Sequence, residues 1–133
     1  MATHILITGA SSGIGSALAK EMARRGFPVG LVARRLDALE TLCQEIREAG
    51  GRASAFAGDV GNPEDMVKAV EALEAKNGPV DILVANAGIS GRSPTKKPNL
   101  SQLEQVMQVN FFGAIHSTRA VLPGMLKRKR GHL

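Results

Sequence analysis

The chain has 133 residues, enough for one globular unit, with 44% hydrophobic residues to fill a core but only 3% aromatics. No run of about 20 apolar residues exists and no basic leader precedes the first apolar segment, so neither a transmembrane helix nor a signal peptide is expected. The formal charge of +5 is concentrated at Lys127-Arg128-Lys129-Arg130, a run without interleaved aromatics to stack on bases, which argues against a nucleic-acid partner and for a solvated helix end. Cys43 stands alone, excluding an internal disulfide and suiting a reducing, cytoplasmic setting; it reads as a small hydrophobe on a helix.

Apolar pattern and breakers divide the chain into a repeating unit. His4–Thr8 reads as a buried strand, followed by an amphipathic helix from Gly13 to Arg25 that Gly26 ends. Pro28–Ala33 is a second apolar run, and Leu36–Ala49 a second helix with Leu36, Leu39, Leu42, Cys43 and Ile46 on one face. Ala53–Ala57 is a weaker third strand. Asn62 then caps a helix that Pro63 starts, running to about Lys76 with Met66, Val70 and Leu73 inward. Val80–Ala85 is the fourth strand. After an irregular stretch from Ile89 to Asn99, one long helix is predicted from Ser101 toward Lys127, kinked at Pro123. His132-Leu133 reads as the first step toward another strand.

The strands are continuous apolar runs alternating with helices, the pattern of a parallel sheet covered on both faces. With right-handed crossovers this gives a doubly wound, Rossmann-like α/β fold of about four strands, with residues 1–133 as one unit. Ligands in such sheets bind at the carboxyl ends of the strands. The segment Thr8-Gly9-Ala10-Ser11-Ser12-Gly13-Ile14-Gly15 is a glycine-rich strand-to-helix turn, able to aim backbone N–H groups and a helix dipole at a phosphate. Its spacing differs from Gly-x-Gly-x-x-Gly, and alone it fits a tight turn without a ligand.

Three further strand ends add to it. Arg34 and Arg35 follow the second strand, where arginine accommodates a 2′-phosphate; Arg34 comes first and is the better placed. Asp59-Val60 follows the third, where a carboxylate can meet an adenine amino group or simply shape a turn. Asn86-Ala87-Gly88 follows the fourth and allows close backbone approach. The histidines His4, His116 and His132 lack metal-ligand spacing, so no metal site is expected.

Taken in order, Thr8-Gly9-x3-Gly13-Ile14-Gly15, Asp59-Val60, Asn86-Ala87-Gly88 and Asn110 resemble the motifs of the short-chain dehydrogenase/reductase family, over the chain from residue 4 onward. The resemblance implies that the glycine turn, including Ser11 and Ser12, holds the pyrophosphate of a nicotinamide cofactor, with NADP favoured over NAD by Arg34 and Arg35. It places adenine between Asp59 and Val60, and sets the Asn86 segment behind the nicotinamide ribose. Asn110 matches the family's asparagine that organises a proton-relay water beside a catalytic lysine. The family also implies an alcohol or carbonyl substrate and homo-oligomers packed through the long helix.

One departure matters. Family members carry a serine after the next strand and a Tyr-x-x-x-Lys beyond it, and this chain contains no tyrosine. The expectation is the cofactor half of an oxidoreductase, truncated before its catalytic segment and inactive as it stands. The rival expectation is a non-catalytic nucleotide-binding or interaction module. In either case Val80–Ala85 is expected at a sheet edge, and the long helix is expected to expose apolar surface.

Overall fold

Four strands of five residues each, β1 (His4–Thr8), β2 (Val29–Ala33), β3 (Ala53–Ala57) and β4 (Val80–Val84), form one parallel sheet in the order β3-β2-β1-β4. The chain, a computed structural model describing residues 2–133, winds outward from β1 to β3 and then crosses back to lay β4 on the other side of β1. The strand order therefore reverses between β1 and β4, where a parallel sheet leaves a crevice at its carboxyl end.

Alternation along β1 feeds two cores. Ile5 and Ile7 pack with Ala19 and Ala23 of α1 (Gly13–Arg24) and with Leu39, Leu42, Cys43 and Ile46 of α2 (Leu36–Glu48). Leu6 faces the other way, against Met66, Ala69, Val70 and Leu73 of α3 (Pro63–Asn77) and Val121 and Met125 of α5 (Gly113–Arg128). A period of two in the strand meeting stripes on helices is what covers both faces of the sheet. Cys43 belongs to the first core, and burial pushes its thiol pKa up.

Sequence signals for helix ends hold. Asn62 Oδ1 accepts from the N–H groups of Glu64 (3.0 Å) and Asp65 (3.2 Å), with Pro63 in the first turn. Gly26, Gly50 and Gly78 take positive φ just beyond α1, α2 and α3. One inward assignment fails: Leu36 is 44% exposed. It is the first residue of α2, and Cα–Cβ bonds tilt toward a helix N-terminus, so its side chain leans off the end rather than over the sheet.

The expected long helix is continuous from residue 100 to 128 but not uniform. α4 (Leu100–Met107) passes into a π turn (Gln108–Phe112) and then α5, which continues through Pro123. The buried line of α5 is Gly113, Ser117, Val121 and Met125, spaced by four. Leu103, Met107, Phe111, Phe112 and Ile115 lie on the exposed side, as the apolar excess in the sequence foretold. β4 is indeed an edge strand. Its edge is nevertheless engaged: His132 N–H donates to Asp81 O and Leu83 N–H to His132 O, both at 2.9 Å.

The basic run is also less free than expected. Arg128 Nη2 donates to Val80 O at 2.7 Å, and Arg130 Nε lies 3.2 Å from Asp81 Oδ1. Asp81 Oδ2 in turn accepts from His4 N–H at 3.1 Å, fastening β1, β4 and the helix end together. His4 is fully buried at the amino end of the sheet, its Nδ1 2.8 Å from Gly78 O and its Nε2 3.3 Å from Asn77 Nδ2. These partners fit a neutral ring with the proton on Nδ1.

Burial pushes the His4 pKa below its ordinary value, outweighing the Gly78 carbonyl and the nearby Glu74 and Asp81 charges. Above the unfolded value of about 6.5 the ring is neutral in both states; as pH falls through it only the unfolded chain gains a proton, so stability falls. Urea unfolding at pH 7.5, 6.5 and 5.5 should show that loss, with His4 contributing at most about 1.4 kcal/mol per pH unit. The contribution should be absent in His4→Gln.

Candidate functional site

A cleft of about 320 Å³ opens at the carboxyl ends of the four strands. It is bordered by Gly9, Ser11 and Ser12 after β1, Arg34 and Arg35 after β2, Asp59 and Val60 after β3, and Asn86, Ala87 and Gly88 after β4. Four groups read separately along the chain thus meet at one place. Ala33, Gly58, Ile89 and Val109 border it too and were not singled out from sequence, though each adjoins a residue that was.

The glycine turn is shaped by close approach. Gly9 has φ +64°, and a Cβ there would lie 2.7 Å from Ala87 Cα. A Cβ on Gly15 would lie 2.5 Å from Gly9 O and 2.6 Å from Asn86 Nδ2. Only glycine fits either position. Gly13 has φ +57° with open space beside it. Thr8, Gly13, Ile14 and Gly15 do not border the cleft, and Ile14 is 80% exposed; these residues set the path of the turn.

The turn is tied to the loop after β4. Thr8 is buried, and its Oγ1 accepts from the N–H groups of Asn86 and Ala87, each at 3.1 Å. Asn86 Nδ2 donates back to Thr8 O at 3.2 Å and Gly9 O at 3.3 Å. Ser12, the N-cap of α1, is extended at φ −158° and makes no side-chain cap bond. The first N–H groups of α1 thus receive no side-chain cap, and a helix N-terminus of this kind suits an anion.

At the second strand end Arg34 makes no ion pair among the described residues. Arg35 Nη2 lies 3.4 Å from Asp37 Oδ2, and this guanidinium, with the Ala38 N–H, holds the Asp37 carboxyl below its ordinary range. At the third, Asp59 Oδ1 accepts from Gly61 N–H at 2.8 Å, so the carboxylate shapes a turn while bordering the cleft. Val60 packs so closely on α5 that a Cβ on Gly113 would lie 2.6 Å from Val60 Cγ2.

Asn110 sits in the π turn, outside the cleft lining. Its Oδ1 accepts from Ile89 N–H at 2.7 Å and its Nδ2 donates to Ile89 O at 2.8 Å, which explains a polar residue in a helix. His4 and His116 both serve structural bonds, His116 Nδ1 lying 2.8 Å from Val60 O. No group of three or more His, Cys, Asp or Glu that could hold a metal occurs among the described residues, nor does a helix long and apolar enough to cross a membrane.

A parallel α/β sheet with this order and a glycine turn over its reversal point is a Rossmann-like architecture. The model of the short chain dehydrogenase family matches residues 3–133, and the chain belongs to that family. It is 40% identical over 128 residues to an uncharacterized oxidoreductase of Myxococcus xanthus, covering 96% of this chain and 51% of that protein. Among solved structures, an F189W actinorhodin polyketide ketoreductase with NADPH superposes with TM-score 0.93 at 36% identity, over 98% of this chain and 51% of that one. An NAD+-bound xylitol dehydrogenase superposes with TM-score 0.92 at 30% identity, over 97% of this chain and 50% of that one. The chain spans about half the length of the relatives it matches.

Thr8→Val keeps the shape of residue 8 but removes the acceptor for two N–H groups. Denaturant unfolding should show a loss of about 1–3 kcal/mol, with Thr8→Ser close to the parent chain.

Proposed function

We propose that this chain is the cofactor-binding half of an NADP(H)-dependent short-chain oxidoreductase acting on an alcohol or carbonyl substrate. The observation that carries this reading is the meeting of four strand-end groups around one cleft, with two arginines at the position that faces a 2′-phosphate. The glycine turn and the uncapped start of α1 receive the pyrophosphate. Arg34, free of ion pairs among the described residues, takes the 2′-phosphate, with Arg35 beside it. Asp59 and Val60 border adenine, and Asn86, Ala87 and Gly88 back the nicotinamide ribose. The nicotinamide, when bound, carries the hydride; the protein binds and orients it.

Family membership supports a role for Asn110 in ordering a proton-relay water, since its two bonds to Ile89 leave one N–H and one lone pair unused. The whole protein would supply serine and Tyr-x-x-x-Lys outside these residues, which hold no tyrosine. The exposed apolar side of α4 and the π turn supports a homo-oligomer, and a lone buried Cys43 suits the cytoplasm. The missing tyrosine equally favours a second reading, a nucleotide-binding module without catalysis. Both readings require the same cleft to bind NADP.

Titration with NADP and NAD, followed by calorimetry, tests the proposal. The chain should bind NADP more tightly than NAD. Arg34→Ala should weaken NADP by about tenfold to a hundredfold, the equivalent of one charge-assisted bond, and leave NAD nearly unchanged. Equal affinity of the parent chain for the two would overturn the preference, and no binding of either by folded chain would overturn the site.

A further inference from the structure

The turn from Asp59 to Gly61, which borders the cleft after β3, is not held by its own strand alone. Asp65 Oδ2 accepts from Asp59 N–H at 2.9 Å, but the next two carbonyls are both met from the long helix that runs from residue 100 to 128. Gln108 Nε2 donates to Gly61 O at 2.7 Å, and His116 Nδ1 lies 2.8 Å from Val60 O. Gln108 is the first residue of the π turn, two before Asn110, which grips Ile89 in the loop after β4. β3 and β4 are the two outer strands of the sheet, separated by three strand spacings, about 14 Å. Side chains two apart on a helix project in nearly opposite directions, so one segment lying between these loops reaches both.

We propose that Gln108 is a positioning residue for the adenine end of the cofactor: through its 2.7 Å bond to Gly61 O, with His116 on Val60 O, it fixes the turn that borders adenine. The π turn is then a crossbar, with Gln108 setting one loop of the cleft and Asn110 the other. The inference rests on the proposed dinucleotide site and adds a residue that touches no ligand. Gln108 is exposed, so the bond orients a loop without carrying the fold.

The test uses 2′,5′-ADP and nicotinamide mononucleotide as separate probes of the two ends of the cleft, with Gln108→Leu and Gln108→Lys, the second keeping a donor of similar reach. Gln108→Leu should weaken 2′,5′-ADP three- to tenfold with nicotinamide mononucleotide and the melting temperature unchanged, and Gln108→Lys should restore most of the loss. Parent-like binding of 2′,5′-ADP by Gln108→Leu overturns the positioning role while leaving the site intact. So does an equal weakening of both probes together with a lowered melting temperature, which marks a general structural role. A folded parent chain that binds neither probe overturns the dinucleotide site itself, and this inference with it.

Discussion

The Thr8 hydroxyl is the point on which the cleft depends. It closes two N–H groups from the loop after β4, and Asn86 returns two bonds to the carbonyls of Thr8 and Gly9. Strands β1 and β4 are adjacent because the order reverses between them, and reversal alone would leave their ends splayed. The reciprocal bonds draw them in so far that neither Gly9 nor Gly15 has room for a Cβ. Requirements for glycine, for threonine and for asparagine are thus one requirement seen from three residues.

The same economy holds at the opposite end of the sheet. Asp81 joins the start of β1 to Arg130, while Arg128 meets the first carbonyl of β4. Polar clamps at both ends leave the middle of the sheet to apolar packing, where β1 supplies Ile5 and Ile7 to one core and Leu6 to the other. Ligand chemistry and fold stability are in this way separated along the strand direction by only a few residues.

Much of this was legible in sequence because the signals are local. Apolar runs marked the four strands, the third more weakly, and Asn62-Pro63 fixed the start of α3 within the residues that make the cap. The residues bordering the cleft were found because strand ends in a parallel sheet converge, so position substituted for three-dimensional knowledge. What escaped depends on distant geometry. Nothing in Gln108-Val109-Asn110 distinguishes a π turn from an α-helix, since the widening is set by what the side chains reach on Gly61 and Ile89. Leu36 misled because periodicity carries no information about where a helix begins relative to the sheet beneath it. Asp59 shapes a turn, one of the two alternatives its position left open, and also borders the cleft.

Placing the first strand at the middle of the sheet has a consequence for synthesis on the ribosome. Thr8 and Asn86 are 78 residues apart, an interval that translation at about 5–20 residues per second crosses in roughly 4–16 s. Through that time β1 can pair only with β2, and its other edge, with the threonine hydroxyl, faces solvent or a chaperone. The nascent chain completes its cleft in one late event, when β4 arrives and the turn made first is locked by the loop made last.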